Sequence, residues 1–474
     1  NNFIWRFAQT EGNYNFSSGS RGKGNLSSEA NPYFLFPQIY NFRYNIFSSE
    51  WPVANRAIEL YLQKKSENEG WERQINGLSN NEKANLLLEK HTFKELLADV
   101  EQRNLQNNIV GLEASRLFAR SEINMGVDAF RDSLYAMLKR NTFLNIKFEN
   151  MLDTLGEMSR TDLYSYLKEW EQLTPLPFYS IGEPELTKVV NKGGEEFFVL
   201  KVLVSNNSDY DGIIQMNVLQ NGWWYQPMED PRARKKVEIA AHTSKEFVSV
   251  WEEQIRDVEI NTMVSGNLPY MIRQSIGNVK QERNKIVKDT IYTLPESSLE
   301  MPGEVIVDNE DSTLFVLSTP AVVGLLPKWL DKVEDTSFKY SGISWWRAPL
   351  QWTATTNAKY YGKYIRSAYV IKSGDGSQTA TWKIPVPEAG QYELYYHVFK
   401  DDELRWNDRL QGEYHFRVAY DSEMEDAYIN LRKANEGWEQ LGTYYFSADT
   451  VRVVLTDECK LRSVTADAVK IVKR

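Results

Sequence analysis

Histidine side chains are the usual starting point for a metal or acid–base site, and this chain has four of them. They are His91, His242, His397 and His415. No two have the H-E-x-x-H spacing that places two imidazoles on one face of a helix around zinc. No G-x-S-x-G nucleophile elbow supports a serine triad either. The sequence therefore predicts no catalytic residue and no metal ligand in this chain.

Acidic clusters offer hard oxygen atoms, which are the ligands that calcium prefers. Residues 207–212 begin like a calcium loop, but Val218 occupies the twelfth position, where a bidentate glutamate is required. We interpret this stretch as a solvated hairpin turn. Residues 401–408 and 421–426 could bind calcium and stiffen their loops, or could simply be solvated. No cofactor is predicted, and calcium is kept as an alternative.

Aromatic residues are plentiful at 13% of the chain, with 14 Trp and 26 Tyr. Several tryptophans stand in loop-like stretches, where their flat faces could stack on the apolar face of a sugar ring while nearby charged groups bind hydroxyls. The predicted carbohydrate-binding residues are Trp345, Trp346, Arg347, Trp352, Trp406 and Asp408. Residues 223–225 (Trp-Trp-Tyr) are a weaker candidate. Alternatively, these indoles pack between the second and third domains.

Length and charge limit the classes of protein to which the chain can belong. A chain of 474 residues exceeds what one hydrophobic core usually supports, and we expect three domains. A net charge of −10 argues against a nucleic-acid partner. The longest apolar stretch, near residues 320–326, is too short to span a bilayer. We expect any signal peptide or anchor to lie upstream or to have been removed.

Helical periodicity dominates residues 1–180, of which the first 45 or so are loop-like. Ser79–Glu82 and Thr92–Glu95 have the form of capping boxes at helix starts. Apolar residues recur at helical spacing from Phe148 to Leu155 before Gly156, and again from Leu163 to Trp170. We predict a mainly α-helical domain that ends near Pro175.

Strand patterns replace the helical ones after residue 180. Residues 181–322 contain short strands such as Phe197–Val204 and Ile213–Leu219, which favour an immunoglobulin-like β-sandwich. Residues 323–474 alternate more cleanly, with Tyr392, Leu394, Tyr396 and Val398 on one face of a strand. The predicted fold is therefore multidomain α plus all-β: a helical domain followed by two β-sandwiches.

Four motifs in the last third carry a family likeness: Tyr361–Tyr364, Ala380–Tyr395, Trp438–Phe446 and Ala466–Val469. In this order they resemble the C-terminal domain of golvesins and xanthan lyases. The resemblance implies a carbohydrate-binding-like β-sandwich that is attached to exported bacterial proteins and holds them on polysaccharide, without catalysis. Met301–Asp311 is similar to the connector upstream of such domains.

A weaker resemblance covers residues 50–180. Gly126–Phe130, Ser159–Leu163 and Leu176–Tyr179 resemble the helical region that follows the active site of gluzincin zinc aminopeptidases. The histidine spacing departs from that family, because no zinc-binding motif is present.

Together these features predict a non-catalytic scaffold and glycan- or surface-binding region of an exported bacterial envelope protein. The expected partner is a polysaccharide or cell-surface glycan, and the expected location is secreted, periplasmic or on the outer surface. One alternative is an accessory part of a zinc metallopeptidase whose catalytic motif lies upstream. Another is a structural or protein-interaction module.

Overall fold

The computed structural model describes residues 44–62, 69–142, 144–219, 230–277, 279–283, 287–297, 299, 303–318, 338–343, 348–400, 412–421 and 423–474. These residues form two compact units. The first contains the described residues up to Leu62, together with Ala84–Leu176 and Lys235–Glu238. The second contains all the other described residues. The predicted combination of an α-helical N-terminal part with β-sheets in the rest is confirmed.

Eight α-helices lie in the described part of the chain. They are α1 (Ala54–Leu62), α2 (Glu69–Asn76), α3 (Asn80–Leu88), α4 (Phe93–Ala98), α5 (Gln106–Met125), α6 (Val127–Arg140), α7 (Phe148–Ser159) and α8 (Leu163–Lys168). Strand β1 (Tyr44–Phe47) pairs in parallel with β2 (Leu144–Lys147). Trp51, Phe93 and Trp170 pack their rings together in the core of the first unit, at centroid distances of 4.7 to 6.0 Å. No described helix combines the length and apolar character needed to cross a bilayer.

Both predicted capping boxes are present at helix starts. The Ser79 hydroxyl accepts a hydrogen bond from Glu82 N, and the Glu82 carboxylate accepts one from Ser79 N. Thr92 and Glu95 make the same reciprocal pair before α4. Helix α7, however, continues through Gly156, where a Cβ would lie 2.6 Å from the Thr161 carbonyl oxygen. This glycine therefore permits a close backbone approach rather than ending the helix.

The middle region contains ten strands among the described residues. They are β3 (Tyr179–Ile181), β4 (Glu185–Val190), β5 (Glu196–Asn206), β6 (Gly212–Leu219), β7 (Arg234–Ile239), β8 (Thr243–Trp251), β9 (Asp257–Asn261), β10 (Met271–Ser275), β11 (Val279–Arg283) and β12 (Thr290–Pro295). One sheet has the order β11-β4-β5-β8-β12, with β3 beside β5, and the other has the order β10-β9-β6-β7. The strands predicted at Phe197–Val204 and Ile213–Leu219 lie within β5 and β6. The immunoglobulin-like assignment stays a prediction.

The C-terminal region contains twelve strands in its described part. They are β13 (Glu304–Val307), β14 (Phe315–Leu317), β15 (Thr353–Thr356), β16 (Ser367–Lys372), β17 (Thr379–Pro385), β18 (Gly390–Val398), β19 (Glu413–Tyr420), β20 (Glu423–Asn430), β21 (Gly437–Phe446), β22 (Thr450–Thr456), β23 (Ser463–Ala466) and β24 (Val469–Lys473). The sheet orders are β13-β24-β18-β21, β14-β17-β22-β19-β20 and β15-β16-β23. The predicted inward residues of β18, from Tyr392 to Val398, are buried in one shared core with Trp382.

This C-terminal group of sheets begins earlier in the chain than residue 323, where the sequence pattern placed the boundary. Strand β13 pairs with β24, and β14 pairs with β17, so both belong to the C-terminal sheets. They are only four and three residues long, which gives period-two alternation little room to show in the sequence. The stretch interpreted as a connector therefore contains an edge strand of the third region.

Residues 69–83 belong to the same compact unit as the sheets. The Tyr270 hydroxyl donates to the Glu69 carboxylate at 2.5 to 2.6 Å. Farther along, Gly342 lies so close to the backbone of Ile75 that a Cβ would be 1.9 Å from the Ile75 carbonyl oxygen. Helix α2 thus contacts both β-regions of its unit.

Candidate functional site

Most of the predicted carbohydrate-binding residues fall outside the described part of the chain. Trp345, Trp346, Arg347, Trp406 and Asp408 are among them, as are residues 223–225. Trp352 is described, and it lies half-buried directly before β15, where it packs against the core of the C-terminal region. Its Nε1 atom is shielded from solvent and has no hydrogen-bond partner among the described residues. The proposed sugar-stacking role of these six residues stays a prediction.

A buried carboxylate holds the golvesin-like motifs together. Asp467 lies beside His397, with Oδ2 2.9 Å from Nδ1, and its carboxylate also accepts a hydrogen bond from the backbone N–H of Tyr361. Burial raises the pKa of Asp467, although the neighbouring His397 and Arg366 oppose that shift. The Trp382 Nε1–H donates to the Asp467 carbonyl at 3.2 Å. These contacts tie three of the four motifs to one residue, as expected of scaffold.

Trp438 is half-buried and contacts several neighbouring side chains. Its ring lies 5.0 Å from that of Tyr361 and 5.1 Å from that of His397, measured between centroids. The Lys470 ammonium lies 4.9 Å from the centre of the indole and forms an ion pair with Glu304 at 2.8 Å. Both members of that ion pair are largely buried. This packing agrees with the interpretation of Trp438 as a structural residue.

A different aromatic surface lies on the outer face of strands β19 and β20. Three cross-strand pairs lie on this face: Ala419 with Met424, Arg417 with Asp426, and His415, which is itself buried, with Tyr428. Their neighbours Phe416, Val418, Ala427 and Ile429 point inward and are buried. Tyr428 is 56% exposed and Met424 is 66% exposed. We call these six outward residues the Tyr428 face.

The imidazole of His415 is fixed from several sides in the Tyr428 face. Its ring stacks on Tyr428 with a centroid distance of 4.9 Å and an interplanar angle of 12°. Its Nε2 lies 2.7 Å from an Asp426 carboxylate oxygen. Its Nδ1 lies 3.3 Å from the Thr456 hydroxyl and 3.4 Å from a Glu458 carboxylate oxygen. The tyrosine ring is therefore held against a rigid support.

Sequence reasoning did not single out Tyr428, although a signal was present. Residues 423–430 alternate, with Ala427 and Ile429 as the inward positions, which makes residues 424, 426 and 428 outward. Tyr428 and Met424 lie on one outward row and are both exposed. The acidic residues of the same stretch drew attention instead as calcium ligands. Glu425 receives a hydrogen bond from the Tyr420 hydroxyl, and Asp426 contacts His415.

The other titratable clusters do not converge on a metal. His242 lies between Asp209 and Glu296, at 2.8 and 2.7 Å, and hydrogen bonds to these two carboxylates raise the pKa of the imidazole. Residue 209 lies in the turn between β5 and β6, but these two strands belong to different sheets, so the prediction of a hairpin turn is wrong. Across the described ranges, no group of three or more His, Cys, Asp and Glu side chains is arranged to hold a metal ion.

Comparisons with known proteins bear on the C-terminal region. The family model of the Golvesin C-terminal domain matches residues 346–473, and no curated protein matches the chain. Among solved structures, a Paenibacillus xanthan lyase is 17% identical with a TM-score of 0.26, covering 64% of this chain and 27% of the lyase chain. The CBM35 from Cellvibrio japonicus Abf62 is 10% identical with a TM-score of 0.17, covering 24% of this chain and 75% of the CBM35 chain.

A Bacteroides uniformis β-glucuronidase is 10% identical with a TM-score of 0.19, covering 66% of this chain and 31% of the enzyme chain. This chain thus spans about a quarter of the xanthan lyase and about a third of the glucuronidase. The resemblance of the helical region to gluzincins gains no support from these matches and stays a prediction. The golvesin resemblance of the last third is confirmed: residues 346–473 match the Golvesin C-terminal domain.

Proposed function

We propose that this chain is a non-catalytic scaffold and glycan- or surface-binding region of an exported bacterial envelope protein. The observation that carries the proposal is the match of residues 346–473 to the Golvesin C-terminal domain. That kind of domain is an accessory module, which binds rather than reacts. In this proposal the helical and middle regions support and space the module, and the location is secreted, periplasmic or on the outer surface.

The architecture of the module suits this role. Aromatic and aliphatic side chains of β17, β18, β19 and β22 fill one core, so the outer surfaces are presented by a rigid framework. Rigid sheets that position variable loops are a common basis for binding sites. A sugar-binding module needs flat apolar area with a few fixed polar groups, rather than a deep reactive cleft.

Two of the predicted binding residues, Trp406 and Asp408, fall in the sequence between strands β18 and β19. The described residues on either side are Lys400, just after β18, and Gly412, just before β19. The Gly412 carbonyl accepts a hydrogen bond from Leu431 N at 2.9 Å. Nearby, the Tyr414 hydroxyl accepts one from Thr465 N at 3.0 Å. In our proposal Trp406 stacks on a sugar ring, and Asp408 accepts hydrogen bonds from its hydroxyls.

The test is a glycan array and a polysaccharide pull-down with the full chain and a variant that carries both Trp345→Ala and Trp406→Ala. We expect the wild-type chain to bind at least one polysaccharide and the double variant to bind it less. Tyr292→Ala is the matched control, because Tyr292 is a 50% exposed aromatic on the middle region. Failure of the wild-type chain to bind any glycan would reject the proposed function. Unchanged binding by the double variant would reject the two tryptophans as its site.

A further inference from the structure

We infer that the Tyr428 face is a binding surface for an uncharged polysaccharide, on which a hexopyranose ring stacks against Tyr428. This inference rests on the proposed glycan-binding function and assigns it a site. None of its six residues is among the sugar-binding residues predicted from the sequence. It consists entirely of described side chains on two paired strands, β19 and β20.

The ring of Tyr428 is prepared for stacking. One side of the ring rests on His415, whose imidazole is held by Asp426 and by the Thr456 hydroxyl. With 56% of the residue exposed, the tyrosine still presents a large apolar area to solvent. Because its neighbours already limit the rotation of the ring, binding a sugar there costs less side-chain entropy than ordering a free tyrosine.

Polar groups suited to sugar hydroxyls flank the ring. Asp426 and Glu458 have side chains 59% and 61% exposed, and each keeps oxygen atoms that can accept from a hydroxyl. Arg417, opposite Asp426 in the sheet, is 42% exposed and offers N–H donors. A hydroxyl both donates and accepts, so a surface with both kinds of partner fits a sugar.

The shape of the surface favours a chain over a single sugar. Met424, Asp426 and Tyr428 project from alternate positions of β20, so consecutive outward side chains are about 7 Å apart along the strand. From Met424 to Tyr428 the row therefore extends for about 14 Å, with apolar groups at both ends and a carboxylate between them. A strip of this form can contact more than one ring of a polysaccharide that lies along β20.

The charge of the surface argues for an uncharged polymer. Asp426 and Glu458 flank His415. Arg417 lies 4.0 Å from Asp426, so the positive charge of Arg417 is already partly balanced. A uronic acid would bring another carboxylate next to these groups, while the chain as a whole has a net charge of −10. Repulsion between these carboxylates and the carboxylate of a uronic acid would weaken binding of an acidic polysaccharide.

Protection of a free sheet edge explains only part of this surface. Strand β20 is the last strand of its sheet, and charged side chains on such strands prevent edge-to-edge pairing. That accounts for Glu423, Glu425 and Asp426. It does not account for the exposed apolar area of Tyr428 and Met424, which would promote association rather than prevent it.

The experiment measures binding of the full chain to hexaoses of glucose, mannose, galactose and N-acetylglucosamine, and to hexagalacturonate, by isothermal titration calorimetry. We expect at least one neutral hexaose to bind, and Tyr428→Ala to weaken it by about tenfold or more, equivalent to about 1.4 kcal/mol. Tyr428→Phe keeps the stacking ring and should bind like the wild-type chain. Tyr445→Ala is the matched control, because Tyr445 is a 63% exposed tyrosine on β21 of another sheet.

The outcomes separate this inference from the proposed function. If the wild-type chain binds a neutral hexaose and Tyr428→Ala binds it equally well, the Tyr428 face is rejected and the proposed function stands. If no sugar binds to the wild-type chain in this panel or on the glycan array, both are rejected. Tighter binding of hexagalacturonate than of every neutral hexaose would overturn the assignment to an uncharged polymer. Near-UV circular dichroism verifies that each variant keeps its tertiary packing.

Discussion

At the scale of single residues, the C-terminal region shows how a sequence pattern and a hydrogen bond act together. Trp382 lies in an alternating strand and is completely buried. Its ring packs 5.3 Å from that of Phe315 and 6.1 Å from that of Tyr396, between centroids. Its Nε1–H donates a hydrogen bond to the carbonyl of Asp467. This bond offsets the cost of burying that carbonyl.

Replacing Trp382 with alanine should therefore destabilise the fold strongly. We expect Trp382→Ala to lower the free energy of unfolding by about 3–5 kcal/mol, because it leaves a large cavity and removes the donor to Asp467. Urea unfolding followed by tryptophan fluorescence and circular dichroism measures this. Tyr445→Ala, on the exposed surface, should change the free energy of unfolding by no more than about 0.5 kcal/mol. Equal effects of the two substitutions would contradict this account.

The limits of sequence reasoning are also visible at this scale. The inward row of β18 followed from alternation alone, and it is buried. Lys470 and Glu304 could not be paired in advance, because their contact depends on the register between β13 and β24, which lie far apart in the chain. The cluster around His415 depends likewise on the pairing of β19 with β20 and β22. A local pattern predicts which face of a strand is buried, but not which strand pairs with it.

At the scale of elements, helix starts were predictable because a capping box is contained in four consecutive residues. Ser79 and Glu82 cap α3 reciprocally. The Glu82 carboxylate also accepts bidentate hydrogen bonds from the Arg73 guanidinium at 2.7 to 3.1 Å. We expect Ser79→Ala to cost about 1 kcal/mol of stability through loss of the cap. Chemical denaturation measures the loss, and Ser79→Thr should restore most of it, since threonine keeps the accepting hydroxyl. A fully stable alanine variant would show that Arg73 alone orders this helix start.

The contact between the α2 end and residues 341–342 could not be predicted, because it depends on backbone proximity across more than two hundred residues. A Cβ on Gly342 would lie 1.9 Å from the Ile75 carbonyl oxygen. We therefore expect Gly342→Ala to destabilise the unit by about 2 kcal/mol or more, since backbone must move to make room. Gly277→Ala is the matched control, because nothing lies within 4 Å of a Cβ there. In thermal unfolding, Gly342→Ala should melt at a lower temperature than Gly277→Ala. Indistinguishable melting curves of the two variants would contradict the close approach of Gly342 to Ile75.

At the scale of the whole molecule, the seam between the two β-regions was hard to place from sequence. Both regions belong to one compact unit, joined by backbone hydrogen bonds of Leu268: its N–H donates to the Tyr364 carbonyl at 3.0 Å, and its carbonyl accepts from Arg366 N at 2.6 Å. These bonds involve loop residues with no periodic signal. The three-domain division stays a prediction, but β13 and β14 place the start of the C-terminal sheets before residue 322. The change from helices to strands was readable from periodicity.

Buried carboxyl groups in both units give the molecule a common pH response. Burial raises the pKa of Glu113 in the first unit, and of Asp308 and Asp467 in the second, where the two aspartates also repel each other electrostatically. A carboxyl whose folded pKa is raised binds its proton more tightly in the folded state. Its favourable contribution is therefore complete below the unfolded pKa of about 4 and is lost as pH rises through the folded pKa.

Asp308→Asn should remove the largest part of this response in the second unit, since the pKa of Asp308 is raised well above its ordinary value. We expect the melting temperature of the variant, relative to the wild-type chain, to rise between about pH 5 and about pH 8. Asp375→Asn is the control: hydrogen bonds from Ser377 lower the pKa of Asp375, so it is ionised in both states throughout this range and its difference should stay flat. A flat difference for Asp308→Asn as well would contradict the raised pKa of this buried carboxyl.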